Sequence, residues 1–289
     1  IPLMSGIADF LGNKKNFMKF FVYTGSLSCI ALYFFDLNNI YSGIFFYLLA
    51  LFSFWASLVF YNSYLPDIVK PEDHDRASAL GYSYGYFGSV ILLLFNIFMI
   101  NFPDFFGFES SGKGKLQAMK VSFVTVGIWW LLFSQYSFYF LPSKKNNINM
   151  VSGLKKSIIF SGFNELYNVW IILKKNKYIK QFLIAFFTFS TAVQTIVLIA
   201  TYFGENEINW MEGEKTTGLI ISMLLIQLIA IIGSIGGAMI SKKLGNAKTL
   251  IIFNISWFII CIIAYFIEST TEFYIVACMV GLVMGGIQS

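Results

Sequence analysis

Amide and phenol side chains sit deep inside otherwise uncharged apolar runs: Tyr82, Tyr86 and Asn96 in one run, then Gln194, Gln227, Asn254 and Gln288 in four others. These groups donate and accept hydrogen bonds without carrying charge. The chemistry open to them is recognition of a neutral or zwitterionic polar molecule, not proton transfer or nucleophilic attack. The plain alternative is that each joins two helices, worth about 1 kcal/mol or less. No carboxylate or cation stands inside these runs, and no His/Asp/Glu cluster is there to carry catalysis or hold a metal. The expectation is therefore no enzyme, no catalytic residue, no metal and no cofactor. Cys29, Cys261 and Cys278 lie in apolar runs without the spacing of a disulfide framework or metal site, and read as packing residues.

The runs themselves define what surrounds these groups. With 57% hydrophobic and 12% charged residues and a mean hydropathy of +0.70, the chain is too apolar for a water-soluble domain. Charge-free segments cover 20–35, 39–66, 77–103, 121–143, 181–204, 216–241, 249–267 and 273–289. About 20 apolar residues cross a hydrocarbon core of about 30 Å. The expectation is an all-α, multi-pass transmembrane bundle with eight spans. The first run is short and reaches spanning length only if Phe17 and Met18 join it and Lys19 snorkels to the surface. A chain that opens on Ile1 and stops within an apolar run at Ser289 reads as a fragment, with spans missing at both ends.

Charge fixes the orientation. If the loops alternate sides, every Lys and Arg except Lys113, Lys115, Lys120 and Lys215 falls on one side, which places that side in the cytoplasm. The net charge of +5 then follows from topology, and no nucleic-acid partner is expected, because no basic stripe is interleaved with exposed aromatics. The expected partners are membrane lipid and a small solute.

One stretch organises the chain: Tyr61 to Ser89, YNSYLPDIVKPEDHDRASALGYSYGYFGS. It passes from a wet loop, broken by Pro66 and Pro71 and crowded with Asp67, Lys70, Glu72, Asp73, His74, Asp75 and Arg76, into an uncharged helix. Gly81, Gly85 and Gly88, with Ser78 and Ser89, recur at spacings of three and four and leave one helix face nearly bare. Another helix can approach such a face closely, either to pack for stability or to slide during a working cycle. Gly233 with Gly237, and Gly281 with Gly285, repeat the device. His74 reads as a solvated loop residue, Trp129 and Trp130 as core packing, and the span 39–62 as facing lipid. In the basic segment 142–180, Phe163, Leu166, Tyr167, Trp170 and Leu173 share a helical face, which predicts an amphipathic surface helix.

Two loops echo each other. Residues 1–16 carry Ala8, Asp9, Gly12, Lys14 and Lys15; AMISKKLGNAKTL at 238–250 puts Gly245 at the place of Gly12 and Lys248 at that of Lys15, with Lys242 where Asp9 stood. Six spans separate them, as in a chain built from two six-helix repeats.

The first loop resembles the pattern small-x-x-A-D-x-x-G-x-K-K of the major facilitator superfamily, with Ser5 and Asn13 as departures. LVFYNSYLPDI, DRASALGYSYGYFGS, AVQT at 192–195 and GLVMGGIQS at the end resemble more closely its vacuole-effluxer-like branch, related to fungal autophagy-linked vacuolar amino-acid exporters. The resemblance implies helices three to ten of twelve, with residues 1–141 in an N-terminal lobe, 142–180 as a cytoplasmic linker and 181–289 in a C-terminal lobe. It implies a secondary active transporter exporting amino acids or similar small solutes by alternating access, monomeric, in a bacterial inner membrane, with a coupling ion open. A cytoplasmic gate motif would comprise Asp9, Gly12, Lys14, Lys15, Asn62, Pro66, Asp67 and Arg76, with Asp9 at a helix N-terminus. Gln194, in the AVQT segment, is the leading single candidate for the solute pathway. Ser190, Thr191 and Ala192 stand where relatives often carry an acid, which argues against proton coupling through this helix. A membrane scaffold that keeps the fold without transporting is the alternative.

Overall fold

The computed structural model describes residues 14–142, 167, 170–171, 173–211 and 214–288. Its long helices are α1 Lys14–Ala31, α2 Ile40–Asn62, α3 His74–Asn101, α4 Gly112–Phe140, α5 Lys177–Asn206, α6 Lys215–Leu244, α7 Asn246–Phe266 and α8 Thr270–Gln288. Each of these eight, taken with its short helical extensions, is long and apolar enough to cross a membrane. The architecture is an all-α, multi-pass membrane bundle. The first helix gains its length by starting at Lys14, and Lys19 lies with its Nζ 5.5 Å from the centroid of the Phe138 ring, a cation–π contact that keeps the ammonium against the protein.

Side chains are distributed as lipid requires. Helix α2 buries Gly43, Ala50, Ser53, Ala56, Ser57 and Phe60, and exposes Ile44, Phe45, Leu48, Phe52, Phe54 and Trp55. Hydrocarbon solvates large apolar side chains as well as a protein core does. Small residues therefore go inward, where they let backbones approach.

The chain divides into two compact units, and the boundary crosses α3 between Leu93 and Leu94. One unit holds α1, α2, α4 and the end of α3. Its core joins Met18, Phe21 and Val22 of α1 to Ala56 and Phe60 of α2 and Phe138 of α4. Phe21 stacks on Phe60 with centroids 5.9 Å apart. Trp130 fills the space that Gly25 leaves, where a Cβ would stand 2.2 Å from the indole. Trp129 tilts against Phe133 at 4.4 Å on its own helix.

The other unit joins Val69–Leu93 to Tyr178–Ser289. Val193, Phe253, Trp257, Ile260, Phe273, Val276 and Val280 form its core. Helices α6 and α8 meet backbone to backbone. A Cβ on Gly233 would stand 2.2 Å from the Leu282 carbonyl oxygen, one on Gly285 2.2 Å from that of Ala230, and one on Gly281 2.5 Å from that of Ile226. Gly237 lies against Gly286 in the same way, at 2.7 Å. Helices α6 and α7 are joined through Gly245, whose φ of +84° is one that L side chains rarely adopt.

Candidate functional site: an uncharged ladder on α3

Ala79, Ser83, Tyr86 and Val90 follow one another at spacings of four, three and four, so they share one face of α3. This face packs: Ala79, Ser83 and Val90 are buried and Tyr86 is half-buried. Gly81, Gly85 and Gly88 lie on the opposite face. Gly85 is exposed, and among the described residues a Cβ there would meet nothing within 4 Å, so none of them makes a close helix approach at this position. The hydroxyl-bearing face makes the contacts instead.

Those contacts form a ladder. Ser83 Oγ and Ser234 Oγ of α6 are 2.6 Å apart, so one hydroxyl donates to the other; the accepting one donates to its own helix, Ala79 O for Ser83 or Ile231 O for Ser234. One turn on, the Tyr86 hydroxyl donates to Gln288 Oε1 of α8 at 2.5 Å. Next, Ser89 Oγ lies within hydrogen-bond distance of Gln227 Oε1 of α6 and of Tyr86 O, with one proton to share between them. All three rungs are uncharged. They lie within one compact unit and tie the first half of α3 to α6 and α8.

The expected pathway residues therefore part company. Tyr86 and Gln288 meet each other, and Gln227 meets Ser89. Asn96 sits on the other half of α3, in the first unit, where it accepts from Thr125 Oγ1 of α4 at 2.7 Å. Tyr82 is half-buried on α3, Gln194 half-buried on α5 beside the core residue Val193, and Asn254 exposed on α7. Serines 83 and 234 escaped the sequence reading, and Ser89 entered it only as a member of the small-residue stripe, because serine counts as a small packing residue. The signal was present in the 83–86–89 spacing, three polar side chains on one face of an uncharged helix.

The lysine-rich ends of the helices carry the charged contacts. Lys14 Nζ lies 3.8 Å from Asp67 Oδ2, and Lys15 Nζ donates to Leu141 O at 2.7 Å, closing the C-terminal end of α4 where a cation suits the helix dipole. Pro66 lies in the single helical turn Leu65–Ile68, and Asn62 and Arg76 are exposed. Asp9 and Gly12, like most of the expected amphipathic helix, lie outside the described residues. His74 is half-buried, and its Nε2 donates to Val69 O at 3.1 Å; a carbonyl only accepts, so this nitrogen carries the proton. Asp75, in the first turn of α3, accepts from Ser241 Oγ at 2.6 Å and from Asn246 Nδ2 at 3.5 Å. Ser241 Oγ also lies against Asn246 Oδ1. The second echoing loop, which lacks its own acid, thus takes one from α3. Asp75 lines a cleft there with Gly237, Ser241, Asn246, Phe253 and Gly286. Among the described residues no group of three or more His, Cys, Asp or Glu is placed to hold a metal.

Residues 1–289 match the family model described as vacuole effluxer Atg22 like. The chain belongs to this family. It is similar to the uncharacterized MFS-type transporter YxiO of Bacillus subtilis, 28% identical over 290 residues, covering 100% of this chain and 64% of that protein. It is also similar to autophagy-related protein 22 of Saccharomyces cerevisiae, 23% identical over 335 residues, covering 99% of this chain and 61% of the yeast protein. The chain thus spans less than two thirds of the length of either relative. No solved structure matches it. An Atg22-like chain with eight helices among its described residues long and apolar enough to cross a membrane is an integral, multi-pass membrane protein, and its bacterial relative agrees with a bacterial origin.

Proposed function

We propose that the protein is a secondary active transporter of the bacterial inner membrane that exports amino acids or similar small neutral or zwitterionic solutes by alternating access. The observation that carries this reading is the ladder on α3. A helix held to α6 and α8 by three neutral hydrogen-bonded rungs can part from them at small cost, because each rung is worth about 1 kcal/mol or less in lipid. Groups that part from one another present donors and acceptors to a solute and charge to none. The relatives support transport: one is named an MFS-type transporter, and the family is described as effluxer-like. The lobes divide at residues 141 and 181 on this reading, with Lys14–Asp67 and Lys15–Leu141 steadying the cytoplasmic end of the first. The protein acts as a monomer.

The test is counterflow in proteoliposomes holding the full-length protein. Vesicles preloaded with a mixture of neutral amino acids are expected to accumulate a labelled neutral amino acid above its external concentration. Accumulation of multiply charged anions alone would contradict the reading, and absence of any flux would favour a scaffold.

A further inference from the structure

Three side-chain contacts tie α3 to α6. Asp75, Ser83 and Ser89 of α3 meet Ser241, Ser234 and Gln227 of α6, in that order. Asp75 and Ser89 are 14 residues apart on one helix, and Ser241 and Gln227 are 14 residues apart on the other, in the reverse sense. The two helices are therefore paired antiparallel in a single register over about 21 Å. Side chains alone make these contacts, whereas α6 and α8 meet through their backbones. Of the two seams, the one on α3 can part without separating closely packed backbones.

The rungs of this seam differ in charge. Only Asp75 carries one, and it stands at the end, in the first turn of α3. Its carboxylate accepts from Ser241 Oγ and lies beside Asn246, the first residue of α7. Gly245, which precedes α7, has no side chain to cap that helix. One carboxylate thus serves two helix N-termini, its own and that of α7, where exposed N–H groups favour an anion. Among the described residues no cation lies within ion-pair distance of it. Half-buried, it lines a cleft of about 120 Å³, room for a few waters. When the helices part, a charge at this end exchanges its partners for water. The same charge at the depth of Ser89 would be left inside a span, at high cost, and the rungs there are neutral.

We propose that Asp75 is the latch of the α3–α6 seam: its carboxylate holds the end of the seam shut, and the neutral rungs at Ser83 and Ser89 part once it lets go. This rests on the transporter reading above, in which α3 moves against α6, and adds to it the residue that sets the balance between closed and open forms. A latch acts over the whole paired length. Loss of the carboxylate must therefore be felt about 21 Å away, at Ser89.

The test is cysteine labelling at two places in the full-length protein, on a background without Cys29, Cys261 and Cys278, in nanodiscs where a thiol reagent reaches both faces. Thr249→Cys reports on the cleft, whose lining includes the buried Thr249, and Ser89→Cys on the far end of the seam. Adding Asp75→Asn, which keeps the shape and removes the charge, is expected to speed labelling several-fold at both places. Asp75→Glu, which keeps the charge, should label at close to the parent rate. If Asp75→Asn does not fold, Ser241→Ala carries the same comparison, because it leaves the carboxylate and removes the donor it meets on α6; a smaller rise at both places is expected. Unchanged rates at both places, or a rise at residue 249 alone, would overturn the proposal, the second by showing local fraying without release of the seam. Counterflow by the wild type judges the transporter reading separately. Flux with unchanged labelling removes the latch and leaves transport standing, and labelling that shifts at both places in a protein without flux does the reverse.

Discussion

At the scale of single residues, the polar groups that matter are few and each has a definite partner. Asp75 ends α3 at its N-terminus, where a carboxylate is favoured by the unpaired N–H groups of the first turn. The same carboxylate accepts from Ser241 and Asn246. Asp75→Ala removes both contacts and is expected to cost about 1–2 kcal/mol, seen as a lower melting temperature of the full-length protein. Asp75→Asn keeps an oxygen for Ser241 and should lose about half as much; equal losses would show that the Ser241 contact contributes nothing. The sequence made the chemistry of such residues legible but not their pairing. That Tyr86, Gln227 and Gln288 were candidates followed from depth in uncharged runs. That Gln194 and Asn254 stand apart from them did not, because which way a polar side chain faces in a uniformly apolar helix leaves little trace in periodicity when both lipid and protein are apolar.

At the scale of elements, the spans were readable because lipid imposes a length and an absence of charge, and most helix bounds fall close to the ends of the charge-free runs; α1 and α4 instead start at Lys14 and Gly112, well before their runs, because lysines continue a helix beyond the hydrocarbon as readily as apolar residues do. The packing faces were only half readable. On α6 and α8 the small residues 233, 237, 281 and 285 lie at the crossing itself. On α3 the glycine stripe lies opposite the packed face, and the hydroxyl face at 83, 86 and 89 makes the contacts. Spacing alone does not distinguish these cases, since a bare helix face looks the same whether a neighbour covers it or not. The difference is measurable. Gly285→Leu drives a side chain into the Ala230 carbonyl and is expected to destabilise by about 3 kcal/mol or more. Gly85→Ala meets open space and should be neutral or stabilising by up to about 1 kcal/mol, because alanine favours the helix. Thermal unfolding of the two variants side by side checks this, and equal losses would place Gly85 at a contact.

At the scale of the whole molecule, α3 is the element both compact units share: residues up to Leu93 belong with α6 and α8, and residues from Leu94 belong with α4. Asn96 with Thr125 anchors the second half, while the ladder holds the first. The account turns on that ladder being a set of contacts that open during a cycle and not permanent glue between helices. Ser89→Cys, placed in the full-length protein on a cysteine-free background and treated with a membrane-impermeant thiol reagent in sealed vesicles, measures this directly. The account predicts slow labelling at rest that rises several-fold while a neutral amino acid is being exchanged. Labelling that stays absent in sealed vesicles with and without solute, yet goes to completion once the protein is unfolded, would contradict it.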